Sequence, residues 1–255
     1  MDVQKYLTRI SFQGPIIVDK NTLYSLQKTH LLNVPFENLD IHYNRKISLS
    51  LHDIYKKIVV QKRGGFCYEL NGLFHWLLAA IGFNAKLVSA RVYTENDKYS
   101  PEYDHLAILV DLDGQGFLVD VGFGKFSFEP LPIQLNELIY DSYGVFVFDN
   151  YNATYIRVNE KIEDKRIPQY IFSTKERTLT EFKERCAFHQ QSKDSHFTQK
   201  KVVSIAKEDG RITLNNTQLK ISKSGKEQLV QFEENGFEAK LKQFFSIEIE
   251  KDKPA

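Results

Sequence analysis

The sequence predicts an α+β protein in which helices come first, strands follow and a mixed segment closes the chain. Three observations carry that class. Up to Gly82, apolar residues recur at three- and four-residue spacing. From Ala85 to Ser173 the period drops towards two, and β-branched and aromatic residues dominate. After Thr178 short strand-like and helix-like patterns alternate. The period of the apolar pattern separates helix from strand because side chains repeat every 3.6 residues in one and every two in the other.

In the first part, Asp2 to Ile10 puts Val3, Tyr6, Leu7 and Ile10 on one face. Asn21 is placed to cap a helix carrying Leu23, Leu26, Leu31 and Leu32, and Ser50 to cap one carrying Leu51, Ile54, Tyr55, Ile58 and Val59, since short polar side chains satisfy the free N–H groups of a helix start. A further helix holds Leu70, Leu73, Phe74, Leu77, Leu78 and Ile81, with Gly82 where a C-terminal glycine stops it. These pack as a small helical bundle. In the middle, strands are expected at Ala85–Tyr93, His105–Leu112, Phe117–Val121, Tyr143–Phe148, Tyr155–Val158 and Gln169–Ser173. Asp113-Gly114-Gln115-Gly116 signals a hairpin, Pro130 and Pro132 mark Phe126–Leu135 as loop, and the strands form a sheet or open barrel. In the last part, Thr178–Phe188 and Glu233–Phe245 read as helices. Lys201–Ala206, Arg211–Leu214 and Gln218–Ser222 read as strands, and the polar tail Glu250–Ala255 as frayed.

A net charge of +1 gives no electrostatic case for nucleic acid or an anionic membrane as partner. The opening Met1-Asp2-Val3-Gln4-Lys5 has no apolar h-region, and no later run is long enough to span a bilayer. With two cysteines and no export signal, the expected compartment is the reducing cytoplasm. The histidines are scattered without a His-x-x-x-His pair and the cysteines are unpaired, so no metal site is expected.

The candidate for chemistry is Cys67, in Arg63-Gly64-Gly65-Phe66-Cys67-Tyr68-Glu69-Leu70-Asn71. It falls in the first turn of an apolar helix, where backbone N–H groups and the positive end of the dipole favour a thiolate. The two glycines before it allow a tight turn and close approach of a substrate. A lone cysteine is by default a buried, inert one, so the reading turns on whether a base and an orienting acid exist. His105 opens the first strand of the hairpin and Asp120 lies near the end of the second. A two-residue loop at Asp113-Gly114 sets His105 opposite Gly122, and a four-residue loop through Gly116 sets it opposite Gly124. In both registers Asp120 shares the face of His105, whereas a three-residue bulged loop would separate them. Cys67, His105 and Asp120 are the candidate catalytic triad. His105 would take the thiol proton, Asp120 would hold the imidazole, and Cys67 would attack an acyl donor and pass the acyl group on in a second step.

The cysteine segment closely resembles the signature of the arylamine N-acetyltransferases. Pro35-Phe36-Glu37-Asn38-Leu39-Asp40 resembles the N-terminal motif of that family, and Asp120-Val121-Gly122-Phe123-Gly124 its aspartate segment. The resemblance is strong from Val34 to Gly124 and weak after about Leu131. It implies an N-terminal helical bundle (1–84) bearing the cysteine, a central antiparallel β-barrel (85–190) bearing the histidine and aspartate, and a C-terminal α/β lid (191–255), on a transglutaminase-like cysteine-enzyme core. It also implies acetyl-coenzyme A as co-substrate and an aromatic amine or hydrazine as acceptor, as in xenobiotic metabolism. By motif, Cys67, His105 and Asp120 carry over as the triad, and Phe36, Phe66 and Phe123 become candidates for the acceptor pocket. Arg63 and Glu37 become a candidate ion pair beneath the site. Coenzyme A contacts fall on the loop Gly122–Lys125, including Gly122 and Gly124, and on Ser192–Phe197, including Ser195 and His196. That second stretch lacks an expected proline and carries Lys193 and His196 instead.

Three other readings fit parts of the pattern. Leu118–Gly124 resembles the first motif of class I methyltransferases, but the tight Asp-Gly turn before it demands antiparallel pairing. A transglutaminase-like acyltransferase or amidase would keep the triad and change the acyl donor. An aromatic-ligand binding domain would keep it as a relic.

Overall fold

The computed structural model describes residues 1–95 and 97–249; the tail expected to fray, Glu250–Ala255, lies outside the described residues. The first part is helical. Helix α1 (Val3–Arg9) starts at Asp2, whose carboxylate accepts the Lys5 N–H at 3.0 Å. Helix α2 (Lys20–Asn33) is capped by Asp19, which accepts the Thr22 N–H at 2.7 Å. The cap expected at Asn21 therefore lies two residues earlier: Asp19 keeps extended backbone and an oxygen in reach of the third N–H, while Asn21 is already helical. A short strand β1 (Phe36–Glu37) and a helical turn α3 (Leu39–His42) follow.

Helix α4 (Leu51–Tyr55) is capped by Ser50 as expected, but it passes into a π-helical turn at Lys56–Val60 instead of running on regularly to Val59. The widened turn brings Lys57, Ile58 and Val59 inside together, a local device common near functional sites. Helix α5 (Cys67–Ile81) ends at Gly82, whose φ of 113° only glycine adopts readily.

The middle part is one antiparallel sheet. Its strands are β2 (Asn84–Val92), β3 (His105–Leu112), β4 (Gln115–Val119), β5 (Leu131–Pro132), β6 (Ile139–Asp141), β7 (Gly144–Asn150), β8 (Ile156–Ile162) and β9 (Lys165–Arg177). They lie in the order β5-β4-β3-β2-β9-β8-β7-β6, curled into a nearly closed barrel. Strand β3 departs from simple alternation, being buried on both faces over His105–Val110. Leu106, Ile108 and Val110 pack into the core shared with α5, while Ala107 and Leu109 fill the barrel interior. A strand buried on both faces has no polar face to show. Strands β5 and β6 escape a sequence reading because two or three residues show no period, and β5 lies within the segment expected to be loop.

The last part holds α6 (Lys183–Gln191), α7 (His196–Gln199), β10 (Val202–Lys207), β11 (Gly210–Asn215), β12 (Gln218–Lys223), β13 (Lys226–Gln231) and α8 (Phe237–Phe245). Both expected helices here begin as 3-10 turns, at Leu179–Phe182 and Glu234–Gly236. The second sheet runs β1-β10-β11-β12-β13. Its edge strand β1 comes from the helical part: Phe36 pairs with Ser204 and Glu37 with Val203. Asn38 completes the join. Its amide N–H groups donate to the carbonyls of Phe197 and Lys200, both at 2.9 Å, and its oxygen accepts the Val202 N–H at 2.7 Å. The Pro35–Asp40 motif thus ties the C-terminal sheet to the base of α5. Among the described residues no helix is long and apolar enough to cross a membrane.

Candidate active site

Cys67 is the first residue of α5 and is 4% exposed. The helix start is held by Glu69, whose carboxylate accepts the Phe66 N–H at 3.2 Å. The glycines before it are needed for the protein's own packing. A Cβ on Gly64 would lie 2.0 Å from the Pro35 carbonyl oxygen, and one on Gly65 2.8 Å from the Glu69 Cβ. The close approach expected for a substrate is taken by the chain itself at these two positions.

Beneath this helix start lies a buried ionic network. Arg63 bonds Glu37 Oε1 at 2.7 Å and Asp40 Oδ1 at 2.6 Å, so the expected Arg63–Glu37 pair is present. Lys57, brought in by the π-helical turn, bonds Asp40 at 2.8 Å and both Glu69 oxygens at 2.9 and 3.1 Å. Two cations face three carboxylates, which leaves one negative charge in excess. That excess shows at Glu69: burial, aided by Glu37 and Asp40, outweighs Lys57 and raises its carboxyl to about 7. Lys57 is buried as well, yet Glu37, Glu69 and Asp40 hold it above its ordinary value.

The hairpin between β3 and β4 turns on Asp113 and Gly114, with φ of 53° and 81°, and Leu112 pairs with Gln115. The two-residue register is therefore the one adopted. It brings His105 Nε2 to 2.7 Å from Asp120 Oδ2, with both side chains buried. Asp120 also accepts from Tyr170 Oη at 3.0 Å, Asn71 Nδ2 at 2.8 Å and the Gly122 N–H at 2.9 Å. Burial works against its charge, but His105, Asn71 and the Gly122 N–H outweigh it and hold the carboxyl below its ordinary value. Asn71 stands one turn after Cys67 on α5 and also binds the Leu106 carbonyl at 2.6 Å and the Val121 N–H at 2.8 Å. One side chain so registers the cysteine helix against the histidine and aspartate strands.

The loop after Asp120 closes on the cysteine. A Cβ on Gly122 would sit 2.8 Å from Cys67 Cα and 3.2 Å from Cys67 Cβ. Gly122→Ala is expected to displace the thiol by a few tenths of an ångström to 1 Å. The cost is about 1–3 kcal/mol of stability by overpacking and up to ~10²-fold in turnover; kcat/KM and thermal midpoint, measured together, check it.

The expected preference of Cys67 for the thiolate is not met in the resting site. Burial, then the charges of Asp104 and Asp120, push the thiol well up, against a hydrogen bond from the Leu106 backbone. Desolvation and the two carboxylates oppose the thiolate that a helix terminus favours.

The three candidate phenylalanines fall into two groups. Phe123 packs edge-on against His105 and Tyr170, with ring centroids at 5.0 and 4.9 Å. Phe36 and Phe66 each meet Phe197 at 6.0 Å, and Phe66 is wholly buried in the core. Of the residues expected to hold a cofactor, Gly122 touches Cys67, and the Gly124 carbonyl accepts Arg211 Nη2 at 2.7 Å. Ser195 is buried, its hydroxyl engaged with His189 Nδ1 at 3.0 Å and the Phe197 N–H at 3.3 Å. His196 is exposed and its ring lies tilted against Phe197, with centroids at 3.9 Å. Beside Lys125 a cavity of about 710 Å³ opens between the Asp120 loop and the C-terminal sheet, where Lys125, Arg211 and Lys220 alternate with Glu208, Asp209 and Glu227.

The N-acetyltransferase family profile matches residues 19–253. The pineal gland isozyme NAT-3 of Gallus gallus, an arylamine N-acetyltransferase, is 32% identical over 98% of this chain and 96% of its own. The chain belongs to the arylamine N-acetyltransferase family. The arylamine N-acetyltransferase of Salmonella typhimurium superposes with a TM-score of 0.90 at 25% identity, covering 96% of this chain and 90% of that one. The Mycobacterium marinum enzyme does so with a TM-score of 0.89 at 26% identity, covering 96% and 93%. The helix, barrel and mixed-sheet order of this chain is the fold of that family.

Asn71, Tyr170, Lys57, Asp40 and Glu69 also shape the site, yet the sequence pattern does not single them out. Asn71 had a usable signal, because a polar residue four after Cys67 shares its helix face. Tyr170 had none, since its partner Asp120 is 50 residues away in the chain.

Proposed function

We propose that the protein is an arylamine N-acetyltransferase that carries the acetyl group of acetyl-coenzyme A on Cys67 and delivers it to an aromatic amine or hydrazine. The observation that carries this reading is the convergence of Cys67, Gly122, Asn71 and the His105–Asp120 pair in one buried site within this family's fold. His105 takes the proton of Cys67, and Asp120 balances the imidazolium and fixes its orientation. The thiolate adds to the thioester carbonyl, backbone N–H groups at the start of α5 stabilise the oxyanion, and the coenzyme A thiolate departs with the proton from His105. In the second half the amine attacks the Cys67 thioester, His105 removes the amine proton, and the amide leaves with the thiol restored.

The loop Gly122–Lys125 would guide the pantetheine arm towards Cys67, and the cavity next to Lys125 has room and cations for the nucleotide end. Phe123, on the face of His105, is the best placed of the three phenylalanines to meet a flat acceptor; Phe66, at the start of α5, would act from within the core. Two free thiols suit a reducing cytoplasm.

Initial rates with acetyl-coenzyme A and an arylamine varied together should give parallel double-reciprocal lines, as a two-step transfer demands. Intersecting lines would overturn the acetyl-enzyme. Turnover of amide donors with none of acetyl-coenzyme A would favour the transglutaminase-like alternative.

A further inference from the structure

A second histidine–carboxylate pair adjoins the first. Asp104 directly precedes His105, but its side chain turns away from the His105–Asp120 pair and accepts from Arg185 Nε and from His189 Nε2, the latter at 3.0 Å. The Asp104 carboxyl is held down at about 2, against burial, by His189, Arg185 and Ser100, so it stays ionised at neutral pH. His189 is 3% exposed and its ring lies between Tyr68 and Phe197. The backbone is pinned too: Tyr68, next after Cys67, donates its hydroxyl to the carbonyls of Tyr103 and Asp104 at 2.8 and 3.1 Å. Asp104 is therefore gripped by α5 through its carbonyl and by α6 through its carboxylate. The acyl-transfer steps use neither Arg185 nor His189.

A carboxylate held there, one residue before His105 and clamped through its own backbone to the residue after Cys67, is a fixed negative charge only 12% exposed and thus little screened by water. The charged and titratable groups that act on Cys67 are Asp104 and Asp120, at the ends of barrel strands, and Cys186 from α6; His105 pairs with Asp120, Tyr68 follows Cys67 on α5, and Arg185 and His189 reach Asp104 from α6. The charges of Asp104 and Asp120 both oppose ionisation of Cys67. Arg185 is the counter-charge of Asp104, and His189 its hydrogen-bond partner.

We infer that Asp104 is a positioning residue for the nucleophile: its carboxylate, held by Arg185 and His189, sets how readily Cys67 gives up its proton, and its clamped backbone holds His105 in place. The inference rests on Cys67 as the nucleophile, and needs no particular acyl donor.

The test is the pH dependence of Cys67 alkylation by iodoacetamide, followed by peptide mass in the full-length protein without substrate. Asp104→Asn keeps an acceptor oxygen for Arg185 and His189 but removes the charge, and is expected to move the alkylation midpoint down by about one pH unit. Arg185→Gln keeps an N–H towards Asp104 but removes the permanent cation, and is expected to move the midpoint up by about one unit. Opposite shifts in variants with near-native thermal midpoints support the inference. Unchanged midpoints, or shifts all in one direction, overturn it, because a merely structural role has no sign. Arg185 is on the partly exposed side of α6, so Arg185→Gln supports or overturns the inference even where Asp104→Asn does not fold. Failure of acetyl-coenzyme A to label the wild type would count against the proposed reaction and leave these shifts standing.

Discussion

Asp120→Asn is expected to lower acyl transfer by about 10³–10⁴-fold. Asp120 is surrounded by donors: His105 Nε2, Tyr170 Oη, Asn71 Nδ2 and the Gly122 N–H all point at its two oxygens. An ionised carboxylate can accept from all four, but a carboxamide must turn its NH₂ towards at least one of them. If the NH₂ faces His105, the imidazole is driven to the wrong tautomer, and the base that should deprotonate a thiol already pushed up by burial is lost. If it faces Asn71 and Gly122, the link between α5 and the barrel opens, at about 1–3 kcal/mol for each buried donor left unpaired. The rate of Cys67 acylation and the thermal midpoint separate the two cases. Tyr170→Phe, which removes one donor only, should cost far less in both. A fully active Asp120→Asn variant would remove Asp120 from the mechanism.

Lys57→Met is expected to cost about 3–5 kcal/mol of stability, seen as a lower urea midpoint. The wild-type network already carries one excess negative charge; without Lys57, Arg63 alone would face Glu37, Asp40 and Glu69. The buried ions need not add net stability as a set, but removing one partner strands the others without water. A milder form of the same imbalance sets a pH dependence. The Glu69 carboxyl sits at about 7 in the fold and near ~4.3 in an unfolded chain, so the fold prefers it protonated. Its contribution is complete below the unfolded value and is lost as pH rises through about 7. Other groups superimpose their own slopes, so the comparison is with Glu69→Gln: the variant's thermal midpoint should gain on the wild type between pH 6 and pH 8. A constant difference across that range would contradict the imbalance.

The encounter of His105 with Asp120 is legible from sequence because a two-residue Asp-Gly turn dictates the register, and register dictates which side chains share a face. Cys67 is legible because apolar periodicity and Gly82 delimit its helix. The ionisation of Cys67 is misread for a physical reason: its helix terminus is a local feature, whereas the opposing burial and the field of Asp104 are tertiary. Tyr170 and His189 reach Asp120 and Asp104 across 50 and 85 residues, and no local pattern encodes such a meeting. The same holds for β1, two residues long, whose partner β10 lies at the far end of the chain. The π-helical turn that delivers Lys57 to Glu69 reads in sequence as ordinary helix, since its apolar residues satisfy either spacing.

In the proposed reaction Cys67 carries the acyl group between donor and acceptor. The most direct test mixes the purified protein with acetyl-coenzyme A alone, records the intact mass, and maps the adduct by peptide. One acetyl group on Cys67, discharged as acetylated amine when an arylamine is added, is the predicted result. An unmodified protein whose Cys67 still alkylates readily would contradict it.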